Sequence, residues 1–254
     1  MDKTLVGIEH LGAGLSVVTM RRGDKRNALN IALLRGLIQA LESLQVGDTR
    51  VVILRGDGPA FCAGLDLIEA NDPAVAEESA DGIRTLLTLI QETPLIVIGA
   101  AHGAAYAGGA GLLAACDLVI AADDLQLGFP EVRRGLVAAL VSRPLLRKVK
   151  IGDLTELLLL AESISAEHAR QMGLIQWTVS PDQVFEQAMT VARKILLGGP
   201  QAIRETKQLL GGDGRGLDFA ALQQLHERVR HSAEAREGLA AFRDRREPNW
   251  RKSS

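Results

Sequence analysis

Two glycine-bearing stretches and one glutamate form the pattern in this sequence best suited to chemistry. The first stretch is Gly103-Ala104-Ala105-Tyr106-Ala107-Gly108-Gly109-Ala110-Gly111, which leads into Leu112-Leu113-Ala114-Ala115-Cys116-Asp117. It lies between an apolar, strand-like run (Leu95 to Ala101) and a small-residue helix followed by a second strand (Leu118 to Ala122). Glycine between a strand and a helix lets backbone approach a ligand closely, and a helix start leaves N–H groups without intrahelical partners. Such donors suit an anionic oxygen. The second stretch, Gly56-Asp57-Gly58-Pro59-Ala60-Phe61-Cys62-Ala63-Gly64, repeats the arrangement and opens a short helix expected at Leu65-Asp66-Leu67-Ile68. Two backbone N–H groups from two helix starts can converge on one carbonyl oxygen, as an enolate or tetrahedral oxyanion requires. A backbone donor is indifferent to its side chain, so Leu65 is acceptable there. Glu131, after Gly128-Phe129-Pro130, is the candidate for proton transfer. Taken alone it reads more readily as a solvated surface carboxylate, and the glycines alone suit tight helix–strand packing equally well.

Other chemistries are disfavoured by spacing. The glycines miss the dinucleotide pattern, because Gly109 and Gly111 would need a third glycine where Ala114 stands. They miss the phosphate loop too, since Gly103 and Gly108 are followed by Gly109 and not by lysine. No serine sits in a G-x-S-x-G elbow. His226 and His231 are five apart and diverge on a helix, so no zinc pair forms and no metal is expected. His102 reads as a hydrogen-bonded structural residue, and Asp117 as part of a helix-to-strand turn. Cys62 and Cys116 read as small packing residues, because no basic partner for a thiolate is evident.

The elements that must position these residues follow from periodicity. Leu5 to Ile8 and Leu15 to Met20 suggest antiparallel strands joined through Gly12-Ala13-Gly14. Arg21 to Arg26 forms a basic loop, and Asn30 can cap a helix carrying Leu34, Leu37, Ile38, Leu41 and Leu44 on one face. Val51-Val52-Ile53-Leu54 runs without alternation, as in a parallel strand covered on both faces. A helix over Ala74 to Gln91 precedes Thr93-Pro94 and a strand over Leu95 to Ala100. Strands alternating with helices predict parallel crossover units. From about Asp153 the chain reads as helical, interrupted by Leu174 to Val179. Ser180-Pro181-Asp182-Gln183 offers a hydroxyl cap and a capping box, Gly198-Gly199-Pro200 a stop, and Gly211 to Gly216 a surface loop. The expected organisation is one α/β core over residues 1–195 and a helical C-terminal region over 196–254.

The 254 residues are 47% hydrophobic and 24% charged, with a net charge of −2, which is ordinary for a globular protein. No nucleic-acid or membrane partner is expected from this balance. Two cysteines, no secretory leader and no apolar run near the ~20 residues of a bilayer span suggest a soluble, cytoplasmic protein.

Several pieces in order and spacing resemble the crotonase superfamily, the enoyl-CoA hydratases and isomerases, over nearly the whole chain. They are Lys25 to Asn30, Phe61-Cys62-Ala63-Gly64-Leu65-Asp66-Leu67, Gly103 to Asp117, Phe129 to Leu136, Ser165 to Gly173, and Ala241 to Trp250. The resemblance implies a spiral of ββα units with a helical C-terminal region, assembled as a homotrimer or a dimer of trimers. It implies an acyl-CoA substrate, with coenzyme A part of the substrate and no separate cofactor. The thioester oxygen would be held by the N–H groups of Leu65 and Gly108, with a thioester enolate as intermediate. The CoA adenine would lodge around Ala63, Asp66, Leu67 and Ile68, with Lys25 or Arg26 approaching the phosphates and Phe242 and Arg245 helping to cover CoA. Two-glutamate hydratases of the family carry their first glutamate where Gly111 stands, and Glu131 matches the second. Gly109-Ala110-Gly111-Leu112 and Gly135 to Arg143 resemble the branch acting on methylglutaconyl-CoA and related branched, carboxylated enoyl-CoAs, which shares that glycine. Hydration or dehydration of a short or branched 2-enoyl-CoA by Glu131 is therefore expected ahead of Δ3,Δ2-enoyl-CoA isomerisation. A non-catalytic acyl-CoA-binding subunit stands third.

Overall fold

The sheet is built around central strands whose residues are buried on both faces. A computed structural model describes residues 4–211 and 218–251. The chain opens with β1 (Val6–Gly12) and β2 (Leu15–Met20), an antiparallel pair turned through Ala13 and Gly14 at positive φ. Next come α1 (Ile31–Val46), β3 (Val51–Gly56), α2 (Leu67–Ala70), α3 (Ala76–Glu92), β4 (Ile96–Ala101), β5 (Ala104–Tyr106) and α4 (Gly108–Ala115). They are followed by β6 (Leu118–Ala122), β7 (Gln126–Gly128), α5 (Ala139–Lys148), α6 (Ile151–Leu160), β8 (Ile164–Ser165), α7 (Ala166–Gln171) and β9 (Trp177–Val179). Helices α8 (Val184–Leu196), α9 (Pro200–Gly211), α10 (Phe219–Arg230) and α11 (Ala233–Arg243) close the described chain.

One sheet of six strands has the order β1-β2-β3-β4-β6-β9, parallel throughout except for the β1–β2 hairpin. A second sheet of three strands has the order β5-β7-β8. β4 and β5 precede α4, while β6 and β7 precede α5, so each turn of the chain contributes one strand to each sheet before a helix. This repetition matches the expected ββα units. In the large sheet the side chains alternate between two cores, as the two-residue period dictates. Val18, Val52, Leu54, Val97 and Val119 pack with α1, α3 and α4, whereas Val17, Val51, Ile53, Ile98 and Ile120 pack under Val184, Ala188 and Val191 of α8. The run Val51 to Leu54 needs no polar alternation because neither face meets water.

Asn30 caps α1 as expected, its Oδ1 accepting the Leu33 N–H at 3.0 Å. Three local expectations are corrected. The helix after Gly64 starts at Leu67, because the Asp66 carboxylate takes the cap by accepting the Ile68 N–H at 3.0 Å. Leu65 stays extended in a parallel bridge with Leu29. The Ser180 hydroxyl does not cap, since Pro181 to Gln183 form a 3-10 turn that delays α8 to Val184. Of the glycine-rich loop expected at Gly211 to Gly216, Gly211 ends α9 and the rest lies outside the described residues. Met1 to Lys3 lie outside them too.

Lys207 fastens helix α9 to the core through its ammonium. Lys207 Nζ donates to the carbonyls of Ile90 (3.0 Å) and Leu95 (2.6 Å) and to Asp117 Oδ2 (2.8 Å), which also accepts the Val97 N–H at 2.7 Å. The Asp117 turn is thus an ionic joint between α4, β4 and α9. Helix α10 buries none of its residues, and no described helix is long and apolar enough to cross a membrane.

Candidate active site

A short cross-link between the two glycine stretches builds the site. The Cys62 N–H donates to the Ala104 carbonyl and the Tyr106 N–H to the Cys62 carbonyl, each at 3.1 Å, in a parallel bridge of Cys62 with Ala105. Two strands in parallel register keep equally advanced residues side by side. Three residues beyond this bridge stand Leu65 on one strand and Gly108 on the other. A Cβ on Gly108 would lie 3.8 Å from the Leu65 nitrogen, and no described acceptor meets either N–H. Both expected donors are therefore brought together and left free. Only the Gly108 N–H comes from a helix start, because α2 begins after Leu65.

Backbone geometry holds the pair. Gly64 adopts φ +94, and Gly109 passes so close to the Cys62 carbonyl that a Cβ would stand 2.2 Å from its oxygen. Ala107, at φ 48 and ψ −118, lies where an alanine is strained, at a cost of about 1–3 kcal/mol. Its N–H donates to the Gly128 carbonyl at 2.9 Å, which anchors the turn that aims Gly108. Leu29 and Ile83 stand 3.4 and 3.3 Å from the position of a Gly108 Cβ, so apolar side chains wall the donors.

Glu131 enters from the neighbouring strand. β5 and β7 pair in parallel with Tyr106 opposite Gly128, so Gly108 and Glu131 both emerge just past the carboxyl ends of adjacent strands. Glu131 opens a 3-10 turn, and its Oε2 is buried with no hydrogen-bond partner. Burial raises its pKa above the ordinary glutamate value, opposed by its own backbone N–H and the Arg134 guanidinium. A desolvated carboxylate with an unused oxygen, beside two unused N–H donors, can take a proton from a carbon or a water while those donors hold negative charge on an oxygen.

Gly111 is not an open position. A Cβ there would lie 2.3 Å from Val141 Cγ1 and 2.9 Å from Val141 Cβ, so α5 occupies the space a side chain at 111 would need. Sequence reading found Gly111 but not Val141, because nothing local marks a contact between helices so far apart in the chain.

Residues 10–253 match the model of the enoyl-CoA hydratase/isomerase family. The chain belongs to that family. The 2,3-dehydroadipyl-CoA hydratase of Escherichia coli is 30% identical, covering 92% of this chain and 94% of its own. An enoyl-CoA isomerase/hydratase of Mycosarcoma maydis is 30% identical over 96% of this chain and 92% of its own. The crystal structure of an enoyl-CoA hydratase from Mycobacterium smegmatis superposes with a TM-score of 0.91 at 28% identity, covering 98% of this chain and all of that one. The fold is the crotonase fold of that family.

The residues expected around CoA fall into two groups. Lys25 and Arg26 are exposed at the end of a 3-10 turn, and the Arg26 carbonyl accepts the Ala63 N–H at 2.9 Å. Asp66 is engaged twice, as the α2 cap and in an ion pair with Arg22 at 2.7 Å; although burial opposes it, those partners hold its pKa below the usual value. Leu67 and Ile68 are exposed on the same short helix. These residues form one surface beside Leu65. Phe242 and Arg245 lie at the end of α11, and no hydrogen bond or ion pair joins them to that surface. Phe242 is 86% exposed.

Asn27 is a structural residue the sequence reading missed. Fully buried at φ 52, it accepts the Arg22 N–H at 2.9 Å and donates to the carbonyls of Asp57 (2.8 Å) and Ala60 (2.9 Å). It ties the basic loop to the second glycine stretch, Gly56 to Gly64. His102 is hydrogen-bonded to the Gly58 carbonyl at 2.8 Å, the structural role expected of it. Burial pushes the Cys62 and Cys116 thiols up to about 12, as packing residues require. Cys116 does have basic neighbours, Lys148 and Lys207, and desolvation outweighs both.

Proposed function

We propose that the chain hydrates and dehydrates a short or branched 2-enoyl-CoA with Glu131 as its single catalytic carboxylate. The observation that carries this reading is the buried, unpartnered Glu131 oxygen at the strand edge next to the free N–H groups of Leu65 and Gly108. Glu131 takes a proton from water as the water oxygen bonds to C3. The C2–C3 π electrons move into the thioester, whose oxygen becomes an enolate held by Leu65 and Gly108. The protonated Glu131 then returns its proton to C2, so both elements of water are added and the carboxylate is regenerated. Lys25 or Arg26 meets the CoA phosphates, and the backbone around Ala63, Asp66, Leu67 and Ile68 receives the adenine. Phe242 and Arg245 cover CoA from a neighbouring subunit of a trimer or a dimer of trimers, in keeping with their distance in contacts from this chain's own CoA surface.

The resemblance to the methylglutaconyl-CoA branch and the hydratase relatives support hydration. A second reading, Δ3,Δ2-enoyl-CoA isomerisation, is favoured by Val141 over Gly111, which leaves one carboxylate to carry a proton between C2 and C4. Incubation with 3-methylglutaconyl-CoA and with a 3-enoyl-CoA, followed by mass spectrometry, separates them. Hydration adds the mass of water, and isomerisation changes structure at constant mass. Absence of water gain by the wild type, with Glu131→Gln as control, would remove the first reading.

A further inference from the structure

A cavity of about 560 Å3 lies at the opposite end of α4 from Gly108, where α4, α5, α8 and α9 meet. The eight-residue helix separates the two by about 12 Å along its axis. The function above uses nothing in it. Its wall includes the aliphatic side chains of Ile96, Leu118, Ile195 and Ile203. Its volume lies within the range of pockets that hold small organic ligands.

The charged groups in this wall are not equivalent. Lys207 commits three donors to Ile90, Leu95 and Asp117, and Asp117 is occupied by Lys207 and the Val97 N–H. Lys148, the last residue of α5, donates to the Cys116 carbonyl at the end of α4, and no other described group accepts from it. An ammonium has three donors, so two remain unused on a half-buried side chain lining an apolar space. Arg147 and Lys194 add exposed cations to the lining.

We infer that this cavity binds a medium-chain carboxylate, with its alkyl chain against the aliphatic wall and its carboxylate on Lys148. A neutral alkane would leave the ammonium as it is, and a small inorganic anion would leave the aliphatic wall wet. One ligand with both parts satisfies both. Burial lowers the Lys148 pKa from its ordinary value, and a carboxylate beside it would restore the charged form.

Titration calorimetry of the full chain with decanoate tests this, with decanol as the uncharged isostere and inorganic phosphate as the bare anion. Saturable binding of one decanoate per chain is expected, with decanol at least tenfold weaker and phosphate without measurable binding. Lys148→Met, which keeps the side-chain volume, should weaken decanoate about tenfold or more while melting within a few degrees of the wild type. Ile203→Trp should abolish binding by filling the space. A saturating 2-enoyl-CoA should leave decanoate bound, and this arm separates the cavity from the acyl-CoA site whatever reaction that site performs. Equal affinity for Lys148→Met and wild type, displacement by the CoA ester, or no saturable binding to the wild type would overturn the inference.

Discussion

The amide nitrogen of Gly108 lies 3.4 Å from where a Cβ on Gly64 would stand, and that Cβ would also come within 2.7 Å of the Tyr106 carbonyl oxygen. Gly64 is therefore the spacer that lets the two proposed oxyanion donors share one oxygen. Gly64→Ala also strains a φ of +94. It is expected to lower kcat on a 2-enoyl-CoA by about 10²–10³, the loss typical of a misplaced oxyanion donor. The melting temperature should fall as well. Turnover above one tenth of wild type would show that Leu65 and Gly108 do not act as a pair.

Glu131→Gln keeps the shape of the site and removes its base. A kcat loss of about 10²–10⁴ is expected with circular dichroism unchanged. The folded-state pKa of Glu131 is raised, so the folded protein binds this proton at a pH where the unfolded chain has released it. Stability attributable to Glu131 is then greatest below the ordinary glutamate value of 4.5 and declines as pH rises through the window up to the raised folded value. The Gln variant lacks that decline, so its stability relative to wild type should increase across the window. The acid limb of wild-type kcat/KM should lie above the ordinary glutamate range. Denaturant titrations and rate profiles from pH 4 to 8 measure both.

Lys25→Ala combined with Arg26→Ala removes two exposed cations next to the loop that carries Leu65. The KM for a CoA ester should rise about fivefold with kcat nearly unchanged, and the difference should shrink in high salt because exposed charges are screened. A kcat defect equal to the KM defect would place these residues in the chemistry and not in binding.

Lys207→Met leaves the Asp117 carboxylate without its partner, with side-chain exposures of 6% and 23% in the native pair. Breaking a buried pair from one side costs about 3–5 kcal/mol. Urea denaturation should show a loss near the lower figure, since Asp117 keeps the Val97 N–H. Asp117→Asn added to Lys207→Met should recover part of it, a coupling that a double-mutant cycle reads directly.

The trimer-based assembly proposed for the chain predicts a light-scattering mass of three or six times 27.2 kDa. No residue of helix α10 is fully buried within its own chain, and Phe219 at its start is 90% exposed. Phe219→Asp and Phe242→Glu should weaken association and lower activity at dilute protein concentration. A monomeric wild type would contradict the assembly.

Much of this architecture was legible in local sequence. Asn30 before a periodic leucine face, the unbroken Val51 to Leu54 run, and glycines at strand-to-helix junctions each announce a backbone requirement that neighbouring residues can satisfy. Strands β5 and β7 escaped notice because three residues carry no periodicity, and β5 lies inside a stretch that reads as loop. Helix α5 was hidden by Ser142, Arg143 and Pro144, whose propensities are overridden by packing of Val141 and Leu145. Leu65 came from the repeated glycine-stretch arrangement, and Gly108 from motif resemblance. The burial of Glu131, the Arg22–Asp66 pair and the Lys207–Asp117 joint needed the tertiary structure, since each depends on residues distant in the chain.

Val141 over Gly111 also constrains how this enzyme can change. A glutamate introduced at 111 alone would collide with α5, and overpacking of this kind destabilises a core. Trimming Val141 first opens a void and also lowers stability, with no carboxylate yet in place to make use of it. Two substitutions on different helices are needed together, and either order passes through a weaker intermediate. Position 111 is thus held by its neighbour: no single substitution adds a second carboxylate there without a loss of packing.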